Sequence, residues 1–114
     1  MLDGIFSITF RGRADWGTGL LILQNGVITG ADASGALYDG SYQERGPDVD
    51  VKLTLTVPPG VTLVQGTAAQ PKQYSISSET TLPIREVLEE KAILLEFPPG
   101  PVNVIFRRLR AIGV

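Results

Sequence analysis

Apolar and polar residues alternate along most of this chain. In DVDVKLTLTV, Val49, Val51, Leu53, Leu55 and Val57 alternate with Asp50, Lys52, Thr54 and Thr56. Successive side chains of a strand point to opposite faces, so this spacing gives one apolar and one polar face, as in a half-buried antiparallel strand. GIFSITF repeats the alternation, with Phe6, Ile8 and Phe10 against Ser7 and Thr9. QYSIS puts Tyr74 and Ile76 on one side, and PVNVIFRRLR puts Val102, Val104 and Phe106 on one side before it turns basic. GLLILQ and KAILLEF are apolar on both faces, which suits a strand covered twice or lying at an interface.

The breaks between these runs carry turn chemistry. Asn25-Gly26 separates two strand-like runs in LLILQNGVITG. A type I′ turn needs positive φ at both central residues, which Asn and Gly adopt at little strain, so the stretch reads as a tight hairpin. A phosphate-binding loop needs Lys-Ser/Thr opening a helix after its glycines, and neither follows here. Further turns fall in GADASGAL, with Gly30, Asp32 and Gly35, in RGPD from Arg45 to Asp48, and in FPPGPV from Phe97 to Val102. VPPGVTLVQGTAAQPK, residues 57–72, is the longest irregular segment. Loops longer than about 12–15 residues are usually functional or mobile, which marks it as a lid or a partner surface. LPIREVLEE predicts one short helical turn, with Pro83 at its start and Ile84, Val87 and Leu88 on an i, i+3, i+4 face.

Eight strands result, at residues 4–11, 17–24, 27–31, 36–44, 49–57, 73–79, 91–97 and 101–110. Short connections pair sequence neighbours antiparallel. The predicted fold is therefore a single all-β domain over residues 1–114, an eight-stranded antiparallel up-and-down β-barrel. A two-sheet sandwich is the rival. Gly19, Gly30 and Gly40 fall inside strands, where bends or bulges are expected, and favour the barrel.

Composition adds limits. A chain of 114 residues that is 43% hydrophobic and 19% charged suits one globular core. A net charge of −2 is too weak to draw the protein onto nucleic acid or an anionic membrane. No apolar run approaches the ~20 residues that span a bilayer. The start of the chain lacks the basic and apolar regions of a signal peptide. Cysteine is absent, which fits a cytoplasmic location.

Catalytic chemistry is thinly represented. Without histidine or cysteine, the commonest general base and the usual zinc ligands are missing, so neither an enzyme nor a cofactor or metal site is expected. Lys52, Lys72 and Lys91 form no motif with a serine, and the carboxylate pairs Glu89-Glu90 and Asp48-Asp50 read as solvated faces. Asp32, Asp39, Glu44, Asp48 and Asp50 match no calcium-loop spacing. If the first and last strands pair, Arg11 and Arg13 would approach Arg107, Arg108 and Arg110 and make a basic patch for an acidic partner or a phosphate; a solvated strand end is the plainer reading. Trp16, Tyr38, Tyr42 and Tyr74 suit either barrel packing or a ligand-lined cavity.

Three segments carry a family likeness. DGIFSITF at 3–10, GTGLLILQNGVITGAD at 17–32 and YDGSY at 38–42 resemble, in order and spacing, the N-terminal half of the GrlR-like family of negative regulators of type III secretion. The resemblance implies a lipocalin-like barrel, a homodimer, and a non-enzymatic role in sequestering a transcriptional activator by direct protein contact. Members of that family contact the activator through an acidic loop after the Y-x-G strand. The matching place here is QERGPDVD, residues 43–50, which keeps Glu44, Asp48 and Asp50 as partner-binding residues while Arg45, Gly46 and Pro47 interrupt the acidic run. The alternative function is a carrier of one small apolar ligand held inside the barrel. Phe6, Ile8, Phe10, Leu53, Leu55, Tyr74, Val104 and Phe106 then line its cavity, or equally fill it.

Overall fold

The computed structural model describes residues 2–113. Its strands are β1 (Gly4–Arg11), β2 (Trp16–Gln24), β3 (Val27–Asp32), β4 (Leu37–Arg45), β5 (Asp48–Val57), β6 (Tyr74–Pro83), β7 (Ile93–Phe97) and β8 (Gly100–Ala111), with one helix, α1 (Ile84–Leu88), between β6 and β7. All eight strands belong to one antiparallel sheet in the order β6-β5-β4-β3-β2-β1-β8-β7. One sheet excludes the two-sheet sandwich. The sheet curls into a nearly closed barrel. The first and last strands are hydrogen-bonded, from Gly4 opposite Ala111 to Arg11 opposite Asn103. The gap lies instead between β6 and β7, where α1 replaces a tight hairpin and no ladder forms among the described residues.

The alternating pattern sorts the two faces as expected. Phe6 and Ile8 of β1, Leu21 and Leu23 of β2, Val49 and Val57 of β5 and Val102 and Val104 of β8 are buried inside. The doubly apolar β2 and β7 bury Leu21, Leu23 and Ile93 but leave Leu20, Ile22 and Leu94 on the outside. Gly19, Gly30 and Gly40 all face inward, opposite Ile8, Tyr38 and Leu53 respectively. They bring backbones close together, and the register shift in the β1–β8 ladder falls elsewhere, between Ile5 and Phe6.

The hairpin reading of Asn25-Gly26 holds in detail, because φ is +52° at Asn25 and +78° at Gly26. β6 runs longer than predicted, to Pro83, because Thr80, Thr81 and Leu82 continue the alternation opposite Val51, Asp50 and Val49. β7 begins later, at Ile93, after Glu90 takes a left-handed φ of +58°. In α1 only Val87 of the predicted apolar face is buried; Leu88 is exposed. The helix packs against β6 and β8 at one end of the barrel.

Pairing β1 with β8 antiparallel also separates the arginines of the basic patch weighed above against a solvated strand end. Arg110 sits opposite Ile5 and Arg11 opposite Asn103. Those positions lie at opposite ends of β1, roughly 20 Å apart at about 3.3 Å per residue. Arg107 instead reaches Glu90 at 4.0 Å, and the Arg108 guanidinium lies 5.6 Å from the centre of the Phe6 ring.

Candidate functional site

Antiparallel order sends the connections alternately to two ends. One end collects the β1–β2, β3–β4 and β7–β8 turns and the long β5–β6 loop. The other collects the Asn25-Gly26 and Gly46-Pro47 turns, α1 and the start of the chain.

At the first end the barrel is hollow. A cavity of about 370 Å³ opens between β1, β2, β4, β5, β7 and β8, lined by Ile8, Phe10, Leu53, Leu55, Val104 and Phe106. All six are among the residues assigned from sequence to a cavity. Phe6 lies deeper, beside a narrow apolar space of about 80 Å³ between the barrel floor and α1. Tyr74 lines neither space; it is half-buried on β6, and its hydroxyl is buried with no hydrogen-bond partner among the described residues. Small-molecule sites are typically apolar hollows of about 300–1,000 Å³ with a few placed polar groups. The larger space fits that description. A shallow depression on the outer face over Gly40, edged by Ser41, Lys52, Thr54, Ser77 and Glu79, is open and polar by contrast.

Glycine seats one wall of the hollow. Gly17 faces inward opposite Phe10, and a Cβ there would stand 2.6 Å from the Phe10 ring. Any side chain at that position would push the ring into the cavity.

The long loop closes the end. Residues 61–65 line the cavity, and Leu63 is buried. The loop folds back on itself through Leu63 N–H to the Thr67 carbonyl at 3.0 Å and Gly60 N–H to the Gln70 carbonyl at 3.0 Å. It is tied across to the β1–β2 turn, where the Val64 carbonyl accepts from the N–H groups of Ala14, at 2.9 Å, and Asp15, at 3.2 Å. Gly12 permits this approach, since a Cβ there would lie 2.4 Å from the Val64 oxygen.

One polar pair faces the hollow. Asp32 ends β3 on the inner face, and its Oδ1 accepts from Ser34 N–H at 2.9 Å, Ser34 Oγ–H at 2.6 Å and Ala36 N–H at 3.2 Å, which shapes the β3–β4 turn. Its Oδ2 accepts from the Tyr38 hydroxyl at 2.7 Å. Tyr38 is 8% exposed. Burial, and secondarily the Asp32 charge, push the Tyr38 hydroxyl far above its ordinary pKa, so it stays protonated. The sequence marked Asp32 as a turn residue and Tyr38 as an amphipathic aromatic; their union at the cavity wall depends on the β3–β4 register.

Glu44, Asp48 and Asp50, expected from the resemblance to meet a partner, lie at the opposite end and are divided among different roles. Asp50 faces outward and is held by Arg45 through two bonds of 3.0 and 3.1 Å and by Thr81 Oγ1 at 2.8 Å. Arg45 and then Thr81 draw the Asp50 carboxyl from 3.8 down to about 2. Glu44 accepts from the Leu2 N–H at 2.9 Å and so anchors the start of the chain. Asp48 is half-buried where β5 begins, opposite Arg45. Nearby, Asp3 accepts from the Tyr42 hydroxyl and from Asn25 N–H, and the Tyr42 bond lowers its pKa. Among the described residues, no three His, Cys, Asp or Glu side chains are grouped to hold a metal ion. Among the described residues, no helix is long and apolar enough to cross a membrane.

Comparison with known proteins returned no match to a family model, a curated protein or a solved structure.

Proposed function

We propose that this protein is a carrier or sensor of one small, largely apolar molecule, held in the loop-covered end of the barrel. The observation that carries this reading is the cavity of about 370 Å³, apolar in most of its wall and covered by residues 61–65. A barrel of eight strands has room inside for either packed side chains or one small ligand. Here the inward side chains leave about 370 Å³ of the interior unfilled. Native mass spectrometry of the untagged protein, purified gently from its own cells, tests the reading. A retained guest of a few hundred daltons is expected, and it should be lost in Leu55→Trp, which fills the space. Guest-free protein, together with failure to bind any apolar probe, would overturn it.

A second reading is a regulatory protein-binding module that pairs with a second copy of itself and captures a transcriptional activator, as the resemblance to GrlR-like regulators implies. One feature favours it. Leu20, Ile22, Val27 and Leu37 are each at least 42% exposed on the outer face of β2, β3 and β4, with Leu20 and Ile22 two residues apart on β2 and Leu20 and Leu37 flanking Ala31. An exposed apolar stripe of this kind suits a contact with another protein. The same spectrum reads this out as a dimer mass, or as a dimer with an added protein.

A further inference from the structure

The cavity wall has a one-sided electrostatic character. Its charged residues are Asp15 and Asp32, and no lysine or arginine lines it. Tyr38 has one proton and gives it to Asp32 Oδ2 at 2.7 Å. What the Tyr38 oxygen still offers is its lone pairs, so it can only accept from a ligand. Asp32 Oδ1 is occupied by three donors from the β3–β4 turn, which hold the carboxylate in place. A guest therefore meets a fixed negative charge and an acceptor oxygen at the rim of an apolar hollow. Ser34 and Thr62 add hydroxyls at the same rim, but neither supplies a countercharge for an anion.

From this geometry we infer that the cavity selects neutral or cationic apolar molecules that carry a hydrogen-bond donor, an N–H or O–H placed against Tyr38, and rejects carboxylates, sulfonates and phosphates of the same shape. This deepens the carrier reading and rests on it. An anion buried beside Asp32 would lose its hydration and gain only repulsion, because a low-dielectric wall strengthens both effects. A donor placed at Tyr38 would extend the existing Asp32–Tyr38 bond into a chain of hydrogen bonds that polarise one another.

Two fluorescent probes of nearly the same shape separate the cases. N-phenyl-1-naphthylamine is neutral and has an N–H; 8-anilino-1-naphthalenesulfonate adds a single anionic group to that frame. The neutral probe is expected to bind and brighten, and the sulfonate to bind about tenfold more weakly or worse. Tyr38→Phe keeps the ring and removes the acceptor, and should weaken the neutral probe by about fivefold. Asp32→Asn keeps an oxygen for the Ser34 N–H, removes the charge, and should narrow the gap between the probes. Leu55→Trp should abolish binding of the neutral probe. Equal affinities, with the two probes displacing each other, would overturn the charge selection and leave the carrier reading standing. No binding of either probe, or binding unchanged by Leu55→Trp, would overturn both.

Discussion

Asp50 illustrates how a single side chain acquires its role. In the sequence it is one member of an acidic stretch. In the fold it accepts two bonds from Arg45 and one from Thr81, a residue of another strand, at 2.8 Å. These partners lower its carboxyl from 3.8 to about 2. A group whose pKa is depressed by folding stabilises the fold above its unfolded pKa, and that contribution fades as the pH falls toward the folded value. Replacing Asp50 with Asn should therefore lower the urea midpoint at neutral pH and lose that effect progressively between about pH 4 and pH 2, where wild type and variant should converge. A difference that persists undiminished at pH 2 would mean the carboxylate is not the source. The Arg45 contact was foreseeable as a charge interrupting an acidic run. The Thr81 contact was not, since the two residues lie 31 positions apart.

Elements differ in how much of their conformation is local. The Asn25-Gly26 hairpin follows from backbone sterics alone, which is why its positive φ values appear where the dipeptide predicts them. The loop over residues 57–72 has no such local logic. Its length marks it for a role, but its fold-back and its bonds to Ala14 and Asp15 depend on the β1–β2 turn standing beside it. Leu63 is the apolar anchor of that arrangement. Leu63→Ala should destabilise the protein by about 2 kcal/mol, the low end for a buried leucine, because the loop can settle into the adjoining hollow. It should also speed release of the neutral naphthylamine probe. Thermal denaturation and stopped-flow dissociation measure the two effects. Unchanged release with lowered stability would make the loop a structural cover and not a gate.

The barrel as a whole is closed by ladders at every joint except the one between β6 and β7. An edge strand has unpaired backbone groups on one side and opens at lower cost than a strand paired on both sides. In hydrogen exchange, β7, a strand of five residues with one paired neighbour, should exchange first among the strands, and β1, flanked by β2 and β8, last. Equal protection of β7 and β1 would show that the seam is sealed in solution. The break in closure at this joint comes from α1, whose presence GIFSITF-like alternation elsewhere in the chain does not anticipate but Pro83 and the Ile84–Val87 spacing do.

Face, turn and strand count were legible in the linear chain, because each depends on residues within a few positions of one another: the period-two alternation, the Asn-Gly and Gly-Pro dipeptides, the inward spacing of Phe6, Ile8 and Phe10. The residues facing the interior could be named, but whether they filled it or surrounded a space could not, because volume is a property of all the walls together. It took the register of β1 against β2 to set Gly17 beneath the Phe10 ring, and that of β3 against β4 to bring Tyr38 to Asp32. The β1–β8 register sent Arg11 and Arg110 to opposite ends of the barrel. Alternation sets which way a side chain points; long-range pairing sets what it meets there.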